Sequence, residues 1–472
     1  MQRLRGLGRH LSLSRRRSGM AAREAGHYDV VIVGGGNSAG YACRELAERG
    51  FAGRVAVVSA EPVAPYERPA LTKAFLHPPG AKVRARLPGF HTCVGGGGDR
   101  QTEAWYKEHN VTLMLDSLAT ALDLGAKKVI VESGDEALAI TYDKLILATG
   151  AAALGPKDIG MENPELANVF TIREEAPAME MIQALEAGQD SDSKRHLVIV
   201  GGGYIGMETA AALSGWGYET TMVFPDDHLL ARLFPDAIAE VFEAHLANRG
   251  IKVLNQTGVV GLVPSEADPS QVGGVKLKSG DVLPADFVVF GVGARINQAL
   301  FKEAGLAPGE GRTGGVKVNG DFQTSDPDVF AIGDIAALHG LRRFEHVDFC
   351  RKSAQRAAAA IAAGPSGEGF PYLPYFYSRL FEYTDAPLVF QFYGDSDTSA
   401  GQRVETFGNI EPAAKGASLK MPLCGAAWVD KQGRLVGVMV VNGSQEQYER
   451  AKAAVADRPD FKENLVAEIV MG

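Results

Sequence analysis

The sequence lacks a redox-active cysteine pair, a membrane-spanning run and an excess of positive charge. Its four cysteines lie far apart without a CxxC pair, which argues against a local zinc knuckle or disulfide redox centre and favours reduced thiols. No run of about 18 apolar residues occurs, so we expect no membrane span. The net charge of −9 argues against sequence-independent binding to nucleic acid, which needs clustered Lys and Arg. The 472 residues are too many for one core and predict several domains.

Acidic residues are absent before Glu24, whereas the same N-terminal segment holds seven arginines. An Arg-rich, acid-poor beginning is typical of an organelle transit peptide, which we predict over residues 1–27. The composition does not separate a mitochondrion from a chloroplast. Two alternatives stay open: a disordered basic tail, and a cytoplasmic form whose translation starts at Met20.

The segment YDVVIVGGGNSAG places an apolar strand directly before a glycine-rich turn and a helical pattern. Gly34, Gly36 and Ala39 match the G-x-G-x-x-A spacing of a dinucleotide-binding loop, in which backbone N–H groups and a helix N-terminus bind a pyrophosphate. The next strand, RVAVVSAE, ends in Glu61, placed to accept hydrogen bonds from a ribose. The predicted residues of this first site are Gly34, Gly35, Gly36, Asn37, Ser38, Ala39 and Glu61.

The same pattern recurs in HLVIVGGGYIGMETAAAL, where a strand again precedes closely spaced glycines. Two such units predict two bound dinucleotides. The strand that follows ends near Asp226, whose carboxylate would repel the 2′-phosphate of NADP and so favours NADH over NADPH. The predicted residues of this second site are Gly201, Gly203, Tyr204, Ile205, Gly206, Asp226, Arg232 and Gly293.

Two buried strands that end in glycine, at residues 143–151 and 286–297, mark where the chain passes between the nucleotide units. The C-terminal stretch alternates apolar and polar residues, which predicts an antiparallel sheet. We therefore predict an α/β fold. It has two Rossmann-like dinucleotide-binding domains, the second inserted in the first, and a C-terminal α+β domain with an antiparallel sheet.

Further motifs resemble known flavoproteins. VFAIGD, which ends in Asp334, resembles the flavin-contacting segment of the pyridine-nucleotide flavoprotein reductases, and PYERPALTK resembles a turn of their carrier-reductase members. In that turn, Arg68 and Lys73 match positions beside the FAD phosphates and the isoalloxazine. The resemblance implies FAD as the first dinucleotide and NAD(P)H as the second. The predicted boundaries are a transit peptide over 1–27, an FAD-binding domain over 28–155 and 293–362, an NAD(P)-binding domain over 156–292 and a C-terminal interface domain over 363–472.

Three longer motifs resemble the monodehydroascorbate reductase family. They are ARLPGFHTCVGGGGDRQTEAWY at 85–106, FEHVDFCRKSA at 344–354 and LPYFYSR at 373–379. The resemblance implies that NAD(P)H passes a hydride to FAD and that two monodehydroascorbate radicals then each take one electron, which regenerates ascorbate. The site residues it implies are Arg351 and Tyr377 for this small-molecule substrate, Glu345 and His346 beside the nicotinamide, and Arg173 and Val347 beside the flavin.

The stretch PYFYSRLFEY is rich in aromatic residues, of which the resemblance gives a chemical role to Tyr377 alone. We expect the other rings to pack the C-terminal domain onto the flavin domain. The chain also departs from the family at Phe349 and Cys350, where His and Ala are common. The anion site around Arg351 is therefore expected to have one donor fewer.

Other flavoprotein classes stay as alternatives. A disulfide reductase would need a cysteine pair near the first glycine loop, and Cys93 has no partner at a useful spacing. An electron-carrier reductase of the ferredoxin or rubredoxin type would show a basic docking surface. A flavin-bearing binding protein of the apoptosis-inducing-factor type would carry a long C-terminal insertion. The sequence leaves open whether the chain is a monomer or a homo-oligomer.

Overall fold

The computed structural model describes residues 22–81, 100–189, 194–309, 314–338, 343–398, 401–461 and 466. Three sequence predictions fall outside these residues: most of the transit peptide, the thiol of Cys93, and positions 85–99 of the first family motif. They stay predictions.

In the described residues up to 363, single strands and runs of strands are separated by helices, and beyond 363 five strands precede a helix. The helices are α1 (Asn37–Glu48), α2 (Glu103–Glu108), α3 (Glu175–Gly188), α4 (Tyr204–Leu213), α5 (Asp236–Asn248), α6 (Ala299–Glu303), α7 (Val347–Ala363) and α8 (Gln445–Asp457). The strands are β1 (Arg23–Val33), β2 (Val55–Val58), β3 (Val111–Met114), β4 (Ser117–Asp123), β5 (Lys128–Ser133), β6 (Glu136–Leu147), β7 (Ala151–Ala153), β8 (Val169–Thr171), β9 (His196–Val200), β10 (Glu219–Val223), β11 (Lys252–Leu254), β12 (Val259–Pro264), β13 (Val272–Leu277), β14 (Val282–Pro284), β15 (Phe287–Phe290), β16 (Ala294–Ile296), β17 (Val316–Val318), β18 (Val329–Ala331), β19 (Ala336–Leu338), β20 (Tyr375–Leu380), β21 (Leu388–Gly394), β22 (Arg403–Gly408), β23 (Cys424–Val429) and β24 (Leu435–Val441).

The first sheet combines strands from two distant parts of the chain. Its order is β3-β2-β1-β6-β5-β4, and β18 pairs with the end of β6. Strands β3, β2, β1, β6 and β18 run parallel, whereas β5 and β4 form an antiparallel extension. The apolar end of β1, from Val30 to Val33, is buried, as expected for a parallel strand covered on both faces. Because β18 joins this sheet from far downstream, the residues between form an insertion, which confirms the predicted fold class.

Strand β1 begins at Arg23, ahead of the predicted domain start at residue 28. Arg23 pairs in register with Leu138 of β6, and its side chain forms an ion pair with Glu136 at 3.1 Å. Glu24 forms an ion pair with Lys128 of β5 at 2.8 Å. Any cleavage on the C-terminal side of Arg23 would therefore cut into a paired strand.

The inserted domain has its own parallel sheet, in the order β11-β10-β9-β15-β8. Helix α4 follows β9 directly, as α1 follows β1 in the first unit. Strands β12, β13 and β14 add a small antiparallel sheet. Strands β7 and β16 pair with each other where the chain enters and leaves the insertion.

The C-terminal domain is an antiparallel sheet in the order β20-β21-β24-β23-β22, with α8 packed on one face. The other face packs on the inserted domain, where the ring of Phe390 lies 5.3 Å from that of Phe234 and 5.7 Å from that of Phe242. Among the residues that the structure describes, no helix combines the length and apolar character that crossing a membrane requires.

The aromatic stretch of β20 contacts more of the molecule than predicted. Tyr375 meets His346, in the domain predicted to bind FAD, edge-on at a ring distance of 5.4 Å, as the packing prediction requires. Phe381, however, contacts His245 on α5, and Tyr383 shares a hydrogen bond with the inserted domain. The prediction was therefore incomplete, because this sheet also covers the helices of the inserted domain.

Candidate functional site

The first glycine loop connects β1 to α1 and leaves the helix N-terminus accessible. Gly34 has a φ of +120°, and a Cβ there would lie 2.2 Å from the carbonyl oxygen of Ala148, so only glycine fits. Gly36 is the N-cap of α1 and has no side chain to accept from the N–H groups of residues 37–39. The atoms nearest to a Cβ on Gly36 belong to Arg68, at 3.7 and 3.8 Å. A helix N-terminus beside a guanidinium is the chemistry that binds a pyrophosphate.

A network of ion pairs surrounds this loop. Arg68 forms a short ion pair with Glu61 and donates to the carbonyl oxygen of Arg173 at 2.5 Å. Arg173 in turn pairs with Asp334 at 2.5 Å. Four predicted residues from distant parts of the chain are thus joined. Glu61, predicted to accept from a ribose, already accepts from Arg68 and from Tyr66, the latter at 2.7 Å.

The second glycine loop connects β9 to α4 with the same geometry. Gly201 has a φ of +125°, and a Cβ there would lie 2.3 Å from the carbonyl oxygen of Gly291. A Cβ on Gly206 would lie 2.1 Å from the Gly201 carbonyl oxygen, so this glycine lets the helix approach the loop. Gly203 is the N-cap without a side-chain cap, and a Cβ there would have no neighbour nearer than 4.0 Å; Ile205 follows in the first turn, partly buried. This accessible N-terminus suits a second pyrophosphate.

The other predicted residues of the second site follow the carboxyl ends of its strands. Asp226 comes after β10 and is exposed, and its carbonyl oxygen accepts from the N–H of Gln256. Arg232 is exposed as well. Gly293 comes after β15 with a φ of +115°, and its carbonyl oxygen accepts from the N–H of Leu154. The side chains that would distinguish NADH from NADPH thus lie at the surface.

Glu208 on α4 connects both nucleotide domains with the C-terminal domain. Its carboxylate, in a residue only 3% exposed, pairs with Lys73 at 2.7 Å and accepts from Thr72 at 2.5 Å and from Ser378 at 2.6 Å. The sequence prediction named Lys73 and missed the other three residues. An acid within the apolar helix segment METAAAL was the available signal, because a buried carboxylate needs a partner.

Tyr204 lies close to the first site as well as to the second glycine loop. Its ring contacts that of Phe376 edge-on at 5.2 Å. Burial raises the pKa of its phenol, and the carboxylate of Glu208 acts in the same direction. The charges of Arg173 and Asp334, from the first site, also reach this phenol.

The N-terminus of α7 holds the residues predicted beside the nicotinamide. His346 is the N-cap, and its ring accepts a hydrogen bond from the N–H of Asp348. Burial lowers the pKa of His346 to about 4, so its imidazole is neutral at pH 7. Glu345 pairs with Arg343 at 2.8 Å, and Val347 begins the helix and is partly buried.

Arg351 lies one turn further along α7 and faces Tyr41 of α1 and Glu67. Its guanidinium lies 5.0 Å from the centre of the Tyr41 ring, and its Nη2 lies 4.0 Å from Oε1 of Glu67. Within the described residues its buried Nε has no hydrogen-bond partner, although 25% of the side chain is exposed. The ring and the carboxylate fix the guanidinium and leave donors for an anion.

Tyr377 lies in the middle of β20, and burial raises the pKa of its phenol. Tyr375, two positions earlier, points to the same face, stacks on Tyr393 and meets His346. Across the described part of the chain, no hydrogen bond or ring contact joins Tyr377 to Arg351. Strand β20 and helix α7 meet where Tyr375 contacts His346. The predicted substrate residues Tyr377 and Arg351 themselves contact different residues.

Phe349 and Cys350 do not belong to the surroundings of Arg351. Phe349 is fully buried, with its ring 5.0 Å from that of Tyr372. The expected loss of a donor from the anion site is therefore wrong, because position 349 is part of the core. Cys350 has its Sγ 3.4 Å from Oδ1 of Asp334, and burial raises the pKa of its thiol, which disfavours the reactive thiolate.

Comparison with known proteins identifies the family. Residues 28–364 match the pyridine nucleotide-disulphide oxidoreductase family, and residues 373–468 match the C-terminal domain of monodehydroascorbate reductase 3-like proteins. A monodehydroascorbate reductase of Solanum lycopersicum is 41% identical over 452 residues, which cover 93% of this chain and 97% of that protein. This chain belongs to the monodehydroascorbate reductase family.

Other members of the family and its wider class agree with this assignment. The chloroplastic/mitochondrial monodehydroascorbate reductase of Arabidopsis thaliana is 40% identical, over 91% of this chain and 82% of that protein. Further relatives are named peroxisomal or cytosolic. The crystal structure of a putidaredoxin reductase in covalent complex with putidaredoxin shares the fold, with a TM-score of 0.75 and 25% identity over 94% of this chain and 96% of that one.

Family membership makes the chain an NAD(P)H-dependent flavoprotein oxidoreductase with a small-molecule substrate. The first site fits FAD by its own geometry. A Cβ on Gly34 would lie 2.2 Å from the carbonyl oxygen of Ala148 and one on Gly35 would lie 2.0 Å from Oγ of Ser59, while Gly36 leaves the helix N-terminus accessible next to Arg68. The second site fits NAD(P)H for the same reason at Gly203.

Proposed function

We propose that this chain reduces the monodehydroascorbate radical to ascorbate, with NADH as the reductant and FAD as the bound cofactor. The match over residues 373–468 carries the proposal, because it names a domain of monodehydroascorbate reductases and contains Tyr377. The fold alone would not separate this activity from that of a carrier reductase, since a putidaredoxin reductase shares it.

Bound FAD supplies the chemistry that takes two electrons from a nicotinamide and gives them up singly. The residues of the chain bind and orient the reactants. The N-terminus of α1 and Arg68 bind the FAD pyrophosphate, and the N-terminus of α4 binds that of NADH. The pair of Lys73 and Glu208 fixes the contact between the domains that carry these two loops. Beside the flavin we place Arg173, Asp334 and Val347, and beside the nicotinamide Glu345 and His346.

Arg351 binds the anionic substrate in this proposal. Its planar guanidinium suits the paired oxygens of an enediolate, and its buried Nε has no partner among the described residues. A fixed positive charge also attracts an anion to a protein whose net charge is −9. Tyr377, on the strand that meets the N-terminus of α7, shapes the other side of the substrate site.

Asp226 supports a preference for NADH over NADPH. Its exposed carboxylate follows β10, at the position where a dinucleotide-binding domain recognises the ribose of its nucleotide. A 2′-phosphate would place a second negative charge against it. The preference is tested by comparing kcat/KM for the two nucleotides.

The basic N-terminal segment supports import into a mitochondrion or a chloroplast, and Met20 offers a start for a cytoplasmic form. The pairing of Arg23 with β6 limits removal to the residues before it. N-terminal sequencing of the protein from isolated organelles tests this proposal. A mature protein that began after Arg23 would contradict the limit set by β1.

The function is tested by NADH oxidation with three electron acceptors. The purified, FAD-loaded protein is assayed with monodehydroascorbate radical generated by ascorbate oxidase, with ferricyanide, and with a small iron–sulfur protein. We expect the radical to give the largest kcat/KM. Turnover with ferricyanide but none with the radical would overturn the proposal. Preference for the iron–sulfur protein would support the carrier-reductase alternative.

Variants of the two substrate residues locate the site. Arg351→Gln should raise the KM for the radical by roughly 100-fold, because it removes a charge-assisted contact to an anion, and Arg351→Lys should recover part of the loss. Tyr377→Phe should lower radical turnover by a smaller factor. In both variants, the reduction of bound FAD by NADH, followed by stopped-flow absorbance, should stay within about twofold of the wild type. Equal losses in both half-reactions would place these residues elsewhere.

A further inference from the structure

Ser378 is the residue through which the C-terminal domain reaches the buried carboxylate of Glu208. Its hydroxyl donates to Oε1 of Glu208 at 2.6 Å, and Ser378 is fully buried. The other oxygen, Oε2, accepts from Thr72 at 2.5 Å and pairs with Lys73 at 2.7 Å. Within the described residues, Ser378 is the one hydrogen-bond donor to Oε1. Two hydroxyls and one ammonium, from two other domains, therefore surround this carboxylate.

Ser378 and its neighbour Tyr377 belong to opposite faces of β20, because side chains alternate along a strand. Ser378 shares its face with Phe376, whose ring meets that of Tyr204 edge-on at 5.2 Å. Tyr204 and Glu208 are four residues apart on α4, so they lie on the same side of that helix. This face of β20 thus covers the helix whose N-terminus we propose to bind NADH, whereas Tyr377 belongs to the other face.

The charges of Lys73 and Glu208 act on residues that are predicted to surround the reacting rings. Burial lowers the pKa of His346 to about 4, and the ammonium of Lys73 acts in the same direction. Burial raises the pKa of the Tyr204 phenol, and the carboxylate of Glu208 acts in the same direction. Charges in buried positions are screened little by salt. The balance between this ammonium and this carboxylate therefore affects the electrostatic potential at a cofactor beside them.

The two hydroxyls determine how much of the carboxylate's charge is left to act on the ammonium. A hydrogen bond to an ionised group is strong, and each one offsets part of that group's charge. Without the hydroxyl of Ser378, Oε1 would be a buried, ionised oxygen without a described donor. The contacts of Glu208 with Thr72 and Lys73 would remain. The carboxylate would therefore stay in place with a larger uncompensated charge beside the ammonium.

We infer that Ser378 is a positioning residue for the reduction of FAD: with Thr72, its hydroxyl offsets the charge of Glu208 and leaves the positive charge of Lys73 available to the flavin. The inference rests on the predicted place of Lys73 beside the isoalloxazine. NADH passes a hydride, which is two electrons and one hydrogen nucleus, to FAD and leaves as NAD⁺. The reduced flavin then carries one negative charge more than the oxidised flavin, and a nearby ammonium stabilises that charge. A residue of the C-terminal domain thus serves the half-reaction that does not involve the radical.

A redox equilibrium of the bound FAD tests this inference without NADH and without the radical. The FAD-loaded protein is equilibrated anaerobically with a redox dye of known potential, and the ratio of reduced to oxidised FAD is read from the flavin absorbance. Ser378→Ala should lower this ratio about fivefold at a fixed dye ratio, because one charge-assisted hydrogen bond is lost. Thr72→Val removes the other hydroxyl at nearly constant shape and should act similarly, whereas Thr72→Ser keeps it and should stay within about twofold of the wild type.

Kinetics and a second background locate the effect. In stopped-flow experiments, Ser378→Ala should lower the limiting rate of FAD reduction by about the same factor, with the Kd for NADH and the KM for the radical within about twofold. In the background of Glu208→Gln, Ser378→Ala should have no further effect on the ratio, because the charge that the hydroxyl offsets is absent.

The matched control is Ser117→Ala. Ser117 is also a buried serine in a strand, and its hydroxyl donates to the carbonyl oxygen of Leu115 at 2.8 Å. Its loss should lower the urea midpoint about as much as Ser378→Ala does, because each variant loses one buried hydrogen bond. The ratio of reduced to oxidised FAD should change in Ser378→Ala and stay at the wild-type value in Ser117→Ala.

The outcomes separate this inference from the proposed function. If NADH reduces the bound FAD of the wild type but the radical is not reduced, the proposed function fails, and the dye equilibrium still decides the inference. If the radical is reduced and Ser378→Ala leaves the FAD ratio unchanged, only the inference fails. The same change in the ratio with Glu208 and with Gln at position 208 would also overturn it, since the hydroxyl would then not act through the carboxylate. So would a loss of FAD in Ser378→Ala, because the hydroxyl would then serve cofactor binding.

Discussion

The two glycine loops share a backbone geometry and differ in what surrounds them. Around the first loop, Glu61, Arg68, Arg173 and Asp334 form one network of ion pairs, with contributions from both parts of the flavin domain and from the inserted domain. Around the second loop, the predicted contacts come mostly from the inserted domain, with Gly293 at its boundary, and Asp226 and Arg232 are exposed. The first loop is thus surrounded by a network of ion pairs, whereas the charged side chains predicted for the second loop are exposed.

This difference matches the two kinds of nucleotide that the family uses. A cofactor that stays bound through many turnovers benefits from contacts that several domains supply and hold in place. A reductant must enter and leave in each turnover. It therefore needs a site that is accessible without a movement of the domains. The two sites meet at α4, where Tyr204 and Glu208 reach residues of the first site.

The largest expected effect would separate the loops by paired glycine substitutions. Gly34→Ala places a Cβ 2.2 Å from a backbone carbonyl oxygen at a φ of +120°, so we expect little soluble protein and no bound FAD. Gly203→Ala meets no atom nearer than 4.0 Å and should keep its FAD, with a KM for NADH raised roughly tenfold by crowding of the pyrophosphate. Absorbance at the flavin band and steady-state kinetics measure both. Equal loss of bound FAD in the two variants would contradict the assignment of FAD to the first loop and NADH to the second.

Removal of Glu208 should weaken the region where the two sites meet. Glu208→Ala leaves Lys73 without its buried partner, so we expect the free energy of unfolding to fall by about 4 kcal/mol. Glu208→Gln retains an acceptor for Thr72 and Ser378 and should lose less. Urea unfolding of the FAD-loaded protein measures the difference. If Glu208→Gln were as unstable as Glu208→Ala, the loss of stability would come from the missing negative charge and not from the hydrogen bonds to Thr72 and Ser378.

Acidification should affect both nucleotide domains, because each buries a neutral histidine. Burial lowers the pKa of His346 in the flavin domain and of His245 in the inserted domain to about 4. Unfolded histidine binds a proton near pH 6.5, so stability should be complete above that pH and should decline as the pH falls toward 4. At pH 5 we expect a loss of up to about 2 kcal/mol for each residue. His245→Gln should reduce the pH dependence of the urea midpoint, and an unchanged slope would contradict this origin.

The smallest expected effect concerns the exposed acid of the second site. Asp226→Ser removes the charge that opposes a 2′-phosphate, so the KM for NADPH should fall about tenfold while FAD content stays constant. Asp227→Ser is the matched control, since the carboxylate of Asp227 accepts from Gln256 at 3.1 Å. It should leave the preference for NADH unchanged. A similar gain in both variants would mean that general surface charge sets the preference.

Much of the fold could be predicted because the residues that specify it are local. A strand, closely spaced glycines, a helix and a terminal acid lie within one stretch of chain, so both nucleotide units were recognisable, as was the insertion of one in the other. Glu208, Thr72 and Ser378 were missed, because their partnership joins residues from three domains. The packing of Phe349 in the core was also missed, because neighbouring residues of one helix face different surroundings.

By itself, the sequence determined the two dinucleotide loops, the order of the domains and the family, because turn chemistry, strand patterns and motif spacing act over short distances along the chain. The tertiary structure alone decided which charges meet. It joined Arg173 to Asp334, buried Glu208 against Lys73, and placed Glu67 4.0 Å from Arg351. The physical reason is that electrostatic and hydrogen-bond energies depend on distance in space, which residue spacing does not fix until the domains have packed.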